Sequence, residues 1–346
     1  MKMACEVPVI DMQDFPSQSE KLVGACEDWG CFRLINHTIP ATLMSEMKSV
    51  VRSLLDLPLE IKQRNRDAIA GSGYVAPSAI NPLYEALGLY DVGSVEAVHA
   101  FCTQLDASPL QRSKSENDRH TAEARNELVN FRLIFSVEEL FSCSIFSFAN
   151  NLKASNGETI VRYSQAVHEL ALDICGNLAA SMGLKSDLFD EWPCQLRINK
   201  YNFTPEMVGS PGVQIHTDGG FLTILQEDEN VGGLEVMDKK SSEFIPINPL
   251  PGTLLVNLGD IATAWSNGRF YSLQHRVQCK EAKIRVSIAL FVLGPKEAAV
   301  EAPAELVDSE HPRLYVPITF EDYRKLRLST GLRAGEALAL LHATNS

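Results

Sequence analysis

Hydrophobic positions recur along the chain at two spacings. Over 41–57, Leu43, Met44, Met47, Val50, Val51, Leu54 and Leu55 return at intervals of three and four, which predicts an amphipathic helix. The same spacing in Ile160, Tyr163, Val167, Leu170, Ala171, Ile174 and Leu178 predicts a helix over about 158–182, with Gly183 where a C-terminal cap is expected. Residues 8–11 and 31–35 read as short strands. From Cys194 the pattern shortens into β-rich runs at 213–217, 221–226, 234–237, 244–247, 253–258, 273–277 and 286–293. Gly232-Gly233, Pro249-Leu250-Pro251-Gly252 and Ser266-Asn267-Gly268 supply the breaks. Short strands at this spacing suggest a barrel or a double-sheet jelly roll. The tail over 317–341 turns helical again.

Charge narrows the partners. Against 31 Lys+Arg stand 44 Asp+Glu, a formal net charge of −13, and such a surface repels phosphate backbones and anionic headgroups. Nucleic acid and membrane are therefore excluded as expected partners, and no macromolecular partner is evident. No apolar run approaches the ~18 residues of a membrane span. The N-terminus lacks a signal core, and the 8 Cys include no Cys-x-x-Cys pair, so the expected location is cytoplasmic. One stretch fits badly: 113–157 opens with a charged run and then carries Phe131, Phe135, Phe141, Phe146 and Phe148, five of the 15 Phe.

The first candidate for chemistry is Gln214-Ile215-His216-Thr217-Asp218. On a strand His216 and Asp218 share a face, and an imidazole with a carboxylate makes two metal ligands. Alone, the pair reads equally well as a packed histidine beside a turn aspartate. His275 changes this, because two His and one carboxylate form the facial triad that holds non-haem Fe(II) with positions left open. Arg285-Val286-Ser287 follows, a same-face pair in which a guanidinium fork and a hydroxyl can grip a carboxylate. An open iron site with an anion clamp is what a dicarboxylate co-substrate needs. His37, His99, His120, His168, His311 and His342 have no partner at ligand spacing, and Cys279 reads as packing.

The order His216-x-Asp218, His275, Arg285-x-Ser287 resembles the plant 2-oxoglutarate- and Fe(II)-dependent dioxygenases. The likeness spans nearly the whole chain. It includes Val7-Pro8-Val9-Ile10-Asp11, Trp29-Gly30-Cys31-Phe32-Arg33-Leu34-Ile35-Asn36-His37, Arg197-Ile198-Asn199-Lys200-Tyr201, Asn257-Leu258-Gly259-Asp260 and Trp265-Ser266-Asn267-Gly268. Within the family, Gly73-Tyr74-Val75-Ala76-Pro77, Glu191-Trp192-Pro193-Cys194-Gln195-Leu196-Arg197 and the 81–91 segment resemble the auxin-oxidising members.

The resemblance implies a mixed α/β (α+β) fold. Its core would be a double-stranded β-helix (jelly-roll, cupin-like) with flanking N-terminal helices and a C-terminal helix. It divides the chain into an N-terminal region 1–112, an atypical insertion 113–157, a long helix 158–190, a jelly-roll domain 191–300 and a helical tail 301–346. It implies Fe(II) on His216, Asp218 and His275, with 2-oxoglutarate held by Arg285, Ser287 and the Tyr201 hydroxyl. O2 would be consumed and ascorbate would stimulate. The implied reaction converts indole-3-acetic acid to 2-oxindole-3-acetic acid. A gibberellin or another small hydrophobic plant metabolite is the alternative substrate, and an inactive jelly-roll binding isoform the alternative class. Phe221 and Phe291 are candidate walls for a small-molecule acid, and Arg197 or Asn199 candidate partners of its carboxylate. Two departures stand out. Thr38 replaces the family's Gly after Asn-His, where a positive φ would strain it. The 113–157 segment has no counterpart and reads as a retained intron, a specialised insertion being the alternative.

Overall fold

A computed structural model describes residues 7–15, 17–107 and 137–343, the stretch 137–155 as backbone alone. Eleven strands build two facing sheets: β1 (Val9–Asp11), β2 (Cys31–Ile35), β3 (Tyr84–Leu89), β4 (Cys194–Asn202), β5 (Pro211–His216), β6 (Leu222–Gln226), β7 (Leu234–Met237), β8 (Phe244–Pro246), β9 (Leu254–Leu258), β10 (His275–Gln278) and β11 (Ile284–Val292). The larger sheet runs β1-β2-β9-β6-β11-β4-β3 and the smaller β5-β10-β7-β8. β1 pairs with β2 in parallel, whereas the strands that hold the site pair antiparallel. This is the double-sheet jelly roll expected from the run spacing.

The two faces of the larger sheet bury different things. On one, Leu87, Leu196, Ile198, Ile224, Val256 and Ile288 join the helix side of the core. The helices are α1 (Ser19–Asp28), α2 (Ala41–Leu55), α3 (Leu59–Lys62), α4 (Val95–Gln104), α5 (Val137–Ser181), α6 (Asp260–Trp265), α7 (Phe320–Thr330) and α8 (Glu336–Ala339). α5 packs against α1, α2 and α4. Its predicted stripe, Ile160 through Leu178, is buried throughout, as are all seven stripe residues of α2. Each such aliphatic side chain stabilises the fold by roughly 2 kcal/mol relative to exposure. The other face, with Tyr201 and Leu255, closes on Leu234, Val236, Leu273 and Val277 of the smaller-sheet side. Between these walls lies the site.

Two local expectations are corrected. α5 begins at Val137, so the boundary drawn at 157/158 falls inside one helix; residues 113–136 of the atypical segment lie outside the described residues. The left-handed residue beside His37 is Asn36, at φ 51°, and not Thr38. Asn tolerates that region, and the Asn36 amide donates to Asp11 Oδ2 at 2.8 Å, so the strain expected at Thr38 does not arise. β3 and α4 did not stand out as hydrophobic patterns. In β3 the buried Glu85, paired with Lys62 and Tyr74, interrupts an otherwise apolar run. Gly88 of β3 is required by close approach, since a Cβ there would lie 1.8 Å from the Ser72 carbonyl oxygen.

Candidate active site

His216 ends β5 and His275 opens β10, and the two are register partners across the antiparallel pair. Their ring centroids stand 4.2 Å apart. Each Nδ1 meets a backbone carbonyl, Gln214 O at 2.8 Å and Leu273 O at 3.1 Å. A carbonyl only accepts, so Nδ1 carries the proton and both Nε2 lone pairs face Asp218. Asp218 Oδ1 lies 3.9 Å from His216 Nε2 and 3.8 Å from His275 Nε2. The strand reasoning needs amendment: β5 stops at His216, and Asp218 reaches the imidazoles from the turn that follows. Thr217 does point away, to Asp260 at 3.1 Å.

The carboxylate is aimed by its neighbours. Thr223 Oγ1 and Asn257 Nδ2 donate to Asp218 Oδ2 at 2.6 and 2.8 Å, leaving Oδ1 for a ligand. Thr223 and Asn257 are themselves register partners on β6 and β9. Burial acts to raise the Asp218 carboxyl, yet the two imidazoles and these hydrogen bonds hold it below its usual value. Burial, reinforced by His275, pushes the His216 imidazole down to about 4, so the ring is neutral at pH 7. Neutral imidazole and ionised carboxylate are the ligand forms of a divalent cation. The three ligand atoms lie within 4.8 Å of one another, and among the described residues no other group of His, Cys, Asp and Glu converges in this way. His120 lies outside the described residues, and Cys279 is buried with its thiol pushed up by burial. The donor set fits Fe(II).

Arg285 and Ser287 lie on β11, opposite Tyr201 and Asn199 of β4. Arg285 is 2% exposed. Its guanidinium sits over the Tyr201 ring at 4.9 Å and its Nη1 reaches Ser287 Oγ at 3.4 Å, while Nε has no partner. A buried guanidinium with an orphan N–H awaits an anion. It lines a cavity of about 170 Å³ together with the triad, Ser287, Tyr201 and Asn199. Burial raises the Tyr201 phenol, against the pull of Arg285 and Ser287, so the hydroxyl keeps its proton and can donate. Asn199 accepts from the Tyr84 hydroxyl at 2.8 Å and donates to Ser287 at 3.4 Å, which places it on the clamp side.

A second cavity of about 270 Å³ adjoins the first and shares His216, Asp218, Arg197 and Phe291 with it. A void of about 150 Å³ accommodates benzene, so each cavity has room for one small acid. Phe291 and Arg197 each line both cavities. Phe221 does not: it is fully buried among Phe189, Trp192 and Trp265, at 4.6, 5.6 and 5.3 Å between ring centroids. The pleat begins only at Leu222, so a count from Asp218 through the Gly219-Gly220 turn carries no facing information. Thr223 and Tyr84 also line the first cavity, and Arg324 and Arg327 the second, although no motif marks them. A lone polar residue in an apolar strand, as in Leu222-Thr223-Ile224-Leu225 and Leu254-Leu255-Val256-Asn257, was the available signal for Thr223 and for the role of Asn257.

Known proteins resemble this chain. The family model for the non-haem dioxygenase in morphine synthesis N-terminal matches residues 7–84, and that of the 2OG-Fe(II) oxygenase superfamily matches 192–294. The 2-oxoglutarate-dependent dioxygenase DAO of Oryza sativa subsp. japonica is 47% identical over 343 residues, covering 98% of this chain and 99% of the relative. The crystal structure of dioxygenase for auxin oxidation in rice superposes with a TM-score of 0.79 at 46% identity, over 98% of this chain and 100% of the other. A 2-oxoglutarate complex of Arabidopsis thaliana dioxygenase for auxin oxidation 1 gives 0.73 at 48%, over 89% and 100%. A triad of two imidazoles and a carboxylate facing an anion clamp, on a jelly roll matched along its length by such relatives, places the chain in the 2-oxoglutarate- and Fe(II)-dependent oxygenase superfamily, as a dioxygenase.

Proposed function

We propose that this dioxygenase oxidises indole-3-acetic acid to 2-oxindole-3-acetic acid. The full-length 47% identity to rice DAO is the observation that carries this reading. One oxygen atom of O2 would enter the indole product and the other succinate, as 2-oxoglutarate is oxidised and releases CO2. His216, Asp218 and His275 would hold Fe(II), which when bound supplies the activation of O2, with ascorbate keeping it reduced. Arg285 would pair with the distal carboxylate of 2-oxoglutarate, and Ser287 and Tyr201 would donate hydroxyl hydrogen bonds to it. Thr223 and Asn257 orient Asp218, while Leu225, Leu255 and Ala289 give the co-substrate cavity an apolar lining that limits water. The partner is a small-molecule acid and the setting cytoplasmic; among the described residues no helix is long and apolar enough to cross a membrane. On its composition, 113–157 reads as a retained intron or a gene-model error; a message lacking the segment would support this, and its presence in the expressed protein would overturn it.

The test is succinate release by purified protein with Fe(II), ascorbate, O2 and 2-oxoglutarate, comparing indole-3-acetate, a gibberellin and no prime substrate. Stimulation by indole-3-acetate, with a product one oxygen heavier by mass spectrometry, is expected. Stimulation by the gibberellin alone would discard the auxin reading. Fe(II) binding without succinate for any acid would favour the binding isoform.

A further inference from the structure

The second cavity has an unbalanced charge. Three guanidiniums line it, those of Arg197 on β4 and of Arg324 and Arg327 on α7. Arg327 is already committed: Nη1 pairs with the fully buried Asp260 carboxylate, and Nη2 donates to the Thr217 and Arg333 carbonyls at 2.7 and 3.0 Å. Arg197 and Arg324 form no ion pair among the described residues. Both instead clasp one loop. Arg197 donates to the Gly71 carbonyl and, at 3.5 Å, to that of Gly73; Arg324 Nε donates to Ala70 O at 2.6 Å. The nearby acid, Asp67, spends its two oxygens on the Gly71 and Gly73 amides at 2.7 Å each.

Two half-buried guanidiniums therefore line one cavity with no carboxylate in ion-pair contact among the described residues. Burial and the positive charges of Arg197 and Arg327 lower the Arg324 guanidinium from its ordinary value, against the pull of Asp67. Among the described residues only Nε of Arg324 is hydrogen-bonded, so its terminal amino groups remain to be used. An anion entering this cavity would relieve the repulsion and satisfy those donors. The rest of the wall, Phe291, Leu293, Phe320 and the exposed Leu328, suits an apolar body. His216 and Asp218 close the inner end.

We propose that Arg324, with Arg197 beside it, binds the carboxylate of the prime substrate, so that this cavity selects small apolar monocarboxylic acids. The chemistry of an indole acetic acid agrees. Its carboxylate is joined by a single methylene to the ring carbon next to the one oxidised, so the anchor must stand close to the iron ligands, and this cavity joins the two. Arg324 is a specificity residue in this account, and the assignment rests on the dioxygenase reading above.

The test is calorimetry on the anaerobic holoenzyme with Fe(II) and 2-oxoglutarate, titrating indole-3-acetate and the neutral indole-3-acetamide, followed by KM and kcat. Arg324→Gln should weaken the acid about 10- to 100-fold, the span of one hydrogen bond to a charged group. The amide and the KM for 2-oxoglutarate should stay within about twofold, and Arg324→Lys should recover part of the acid affinity. Arg197→Gln, which alters a different element, should give the same acid-selective pattern. Equal losses for acid and amide would show that the arginines only hold the 70–73 loop, and no loss would also overturn the proposal. If wild type neither binds nor oxidises indole-3-acetate, the auxin reading fails. The arginine assignment is then decided on a gibberellin and its methyl ester, where equal affinity for acid and ester would refute it.

Discussion

Replacing Arg285 with methionine is expected to stabilise the ligand-free protein while abolishing its response to 2-oxoglutarate. The arginine is 2% exposed, forms no ion pair among the described residues, and leaves Nε without a partner. An orphaned buried donor costs about 1–3 kcal/mol, more for a charged group. Opposing this are the Tyr201 ring at 4.9 Å, a cation–π contact of about 1 kcal/mol, and the attraction of Glu227. Glu227, however, is already paired with Arg33 at 2.8 Å. Exchanging a buried charge for an apolar side chain of similar length is commonly neutral or stabilising by about 1–4 kcal/mol. A net gain of about 1–2 kcal/mol follows, or roughly 1–3 °C in Tm for a chain of this size.

The ligand reverses the order. At about a hundredfold excess over Kd, 2-oxoglutarate should stabilise the wild type by about 2.7 kcal/mol through linkage. Without the guanidinium its affinity should fall at least about a hundredfold, erasing that shift. Thermal unfolding of both proteins with Fe(II) under argon, with and without 2-oxoglutarate, gives four melting temperatures that should cross. A methionine variant that is less stable without ligand yet still shifts with 2-oxoglutarate would sink the reasoning, because Arg285 would then serve the fold and not the co-substrate.

Other consequences concern the metal ligands and the aromatic core. Asn257→Ala should weaken Fe(II) binding about 10- to 100-fold with little change in fold, since it removes one of the two donors that hold Asp218 Oδ2; unaltered affinity by metal titration would remove Asn257 from this role. The metal-free protein should lose stability as pH falls from about 6.5 to about 4. His216 titrates near 4 when folded, so in that window the unfolded chain binds the extra proton and gains from acid. Urea unfolding across the window should show a positive slope that His216→Asn reduces, and an identical slope in the variant would count against it. Phe221→Ala should cost about 3–5 kcal/mol of stability while leaving the KM for indole-3-acetate near wild type in the folded fraction, because Phe221 packs in the helix-side core and lines neither cavity. A raised KM would return it to the substrate pocket.

These outcomes separate what the sequence pattern could reveal from what only the fold assembles. The α2 stripe and the β runs were legible because burial repeats at the period of each element, and all seven α2 positions are inside. The iron ligands were legible because the chemistry fixes their residue types, even though Asp218 arrives from a turn and not from a strand face. Arg285 and Ser287 were legible as a same-face pair because β11 is regular through both. Facing arguments failed wherever a strand had not yet begun, as at Phe221, and boundaries failed where helix continued through an abrupt change of composition, as in α5. Arg324 was invisible for a different reason. On an amphipathic tail helix a lone arginine reads as a solvated face, and only the return of α7 over the Gly219-Gly220 turn sets it beside Arg197. The co-substrate side of the site thus comes from two neighbouring strands whose parity the sequence displays. The proposed substrate side draws on the 70–73 loop, β4 and the C-terminal helix, more than 250 residues apart from Ala70 to Arg324. Selectivity built from such distant pieces can change by altering the loop or the helix while the iron site stays intact, which is a physical route for one jelly roll to serve different acids.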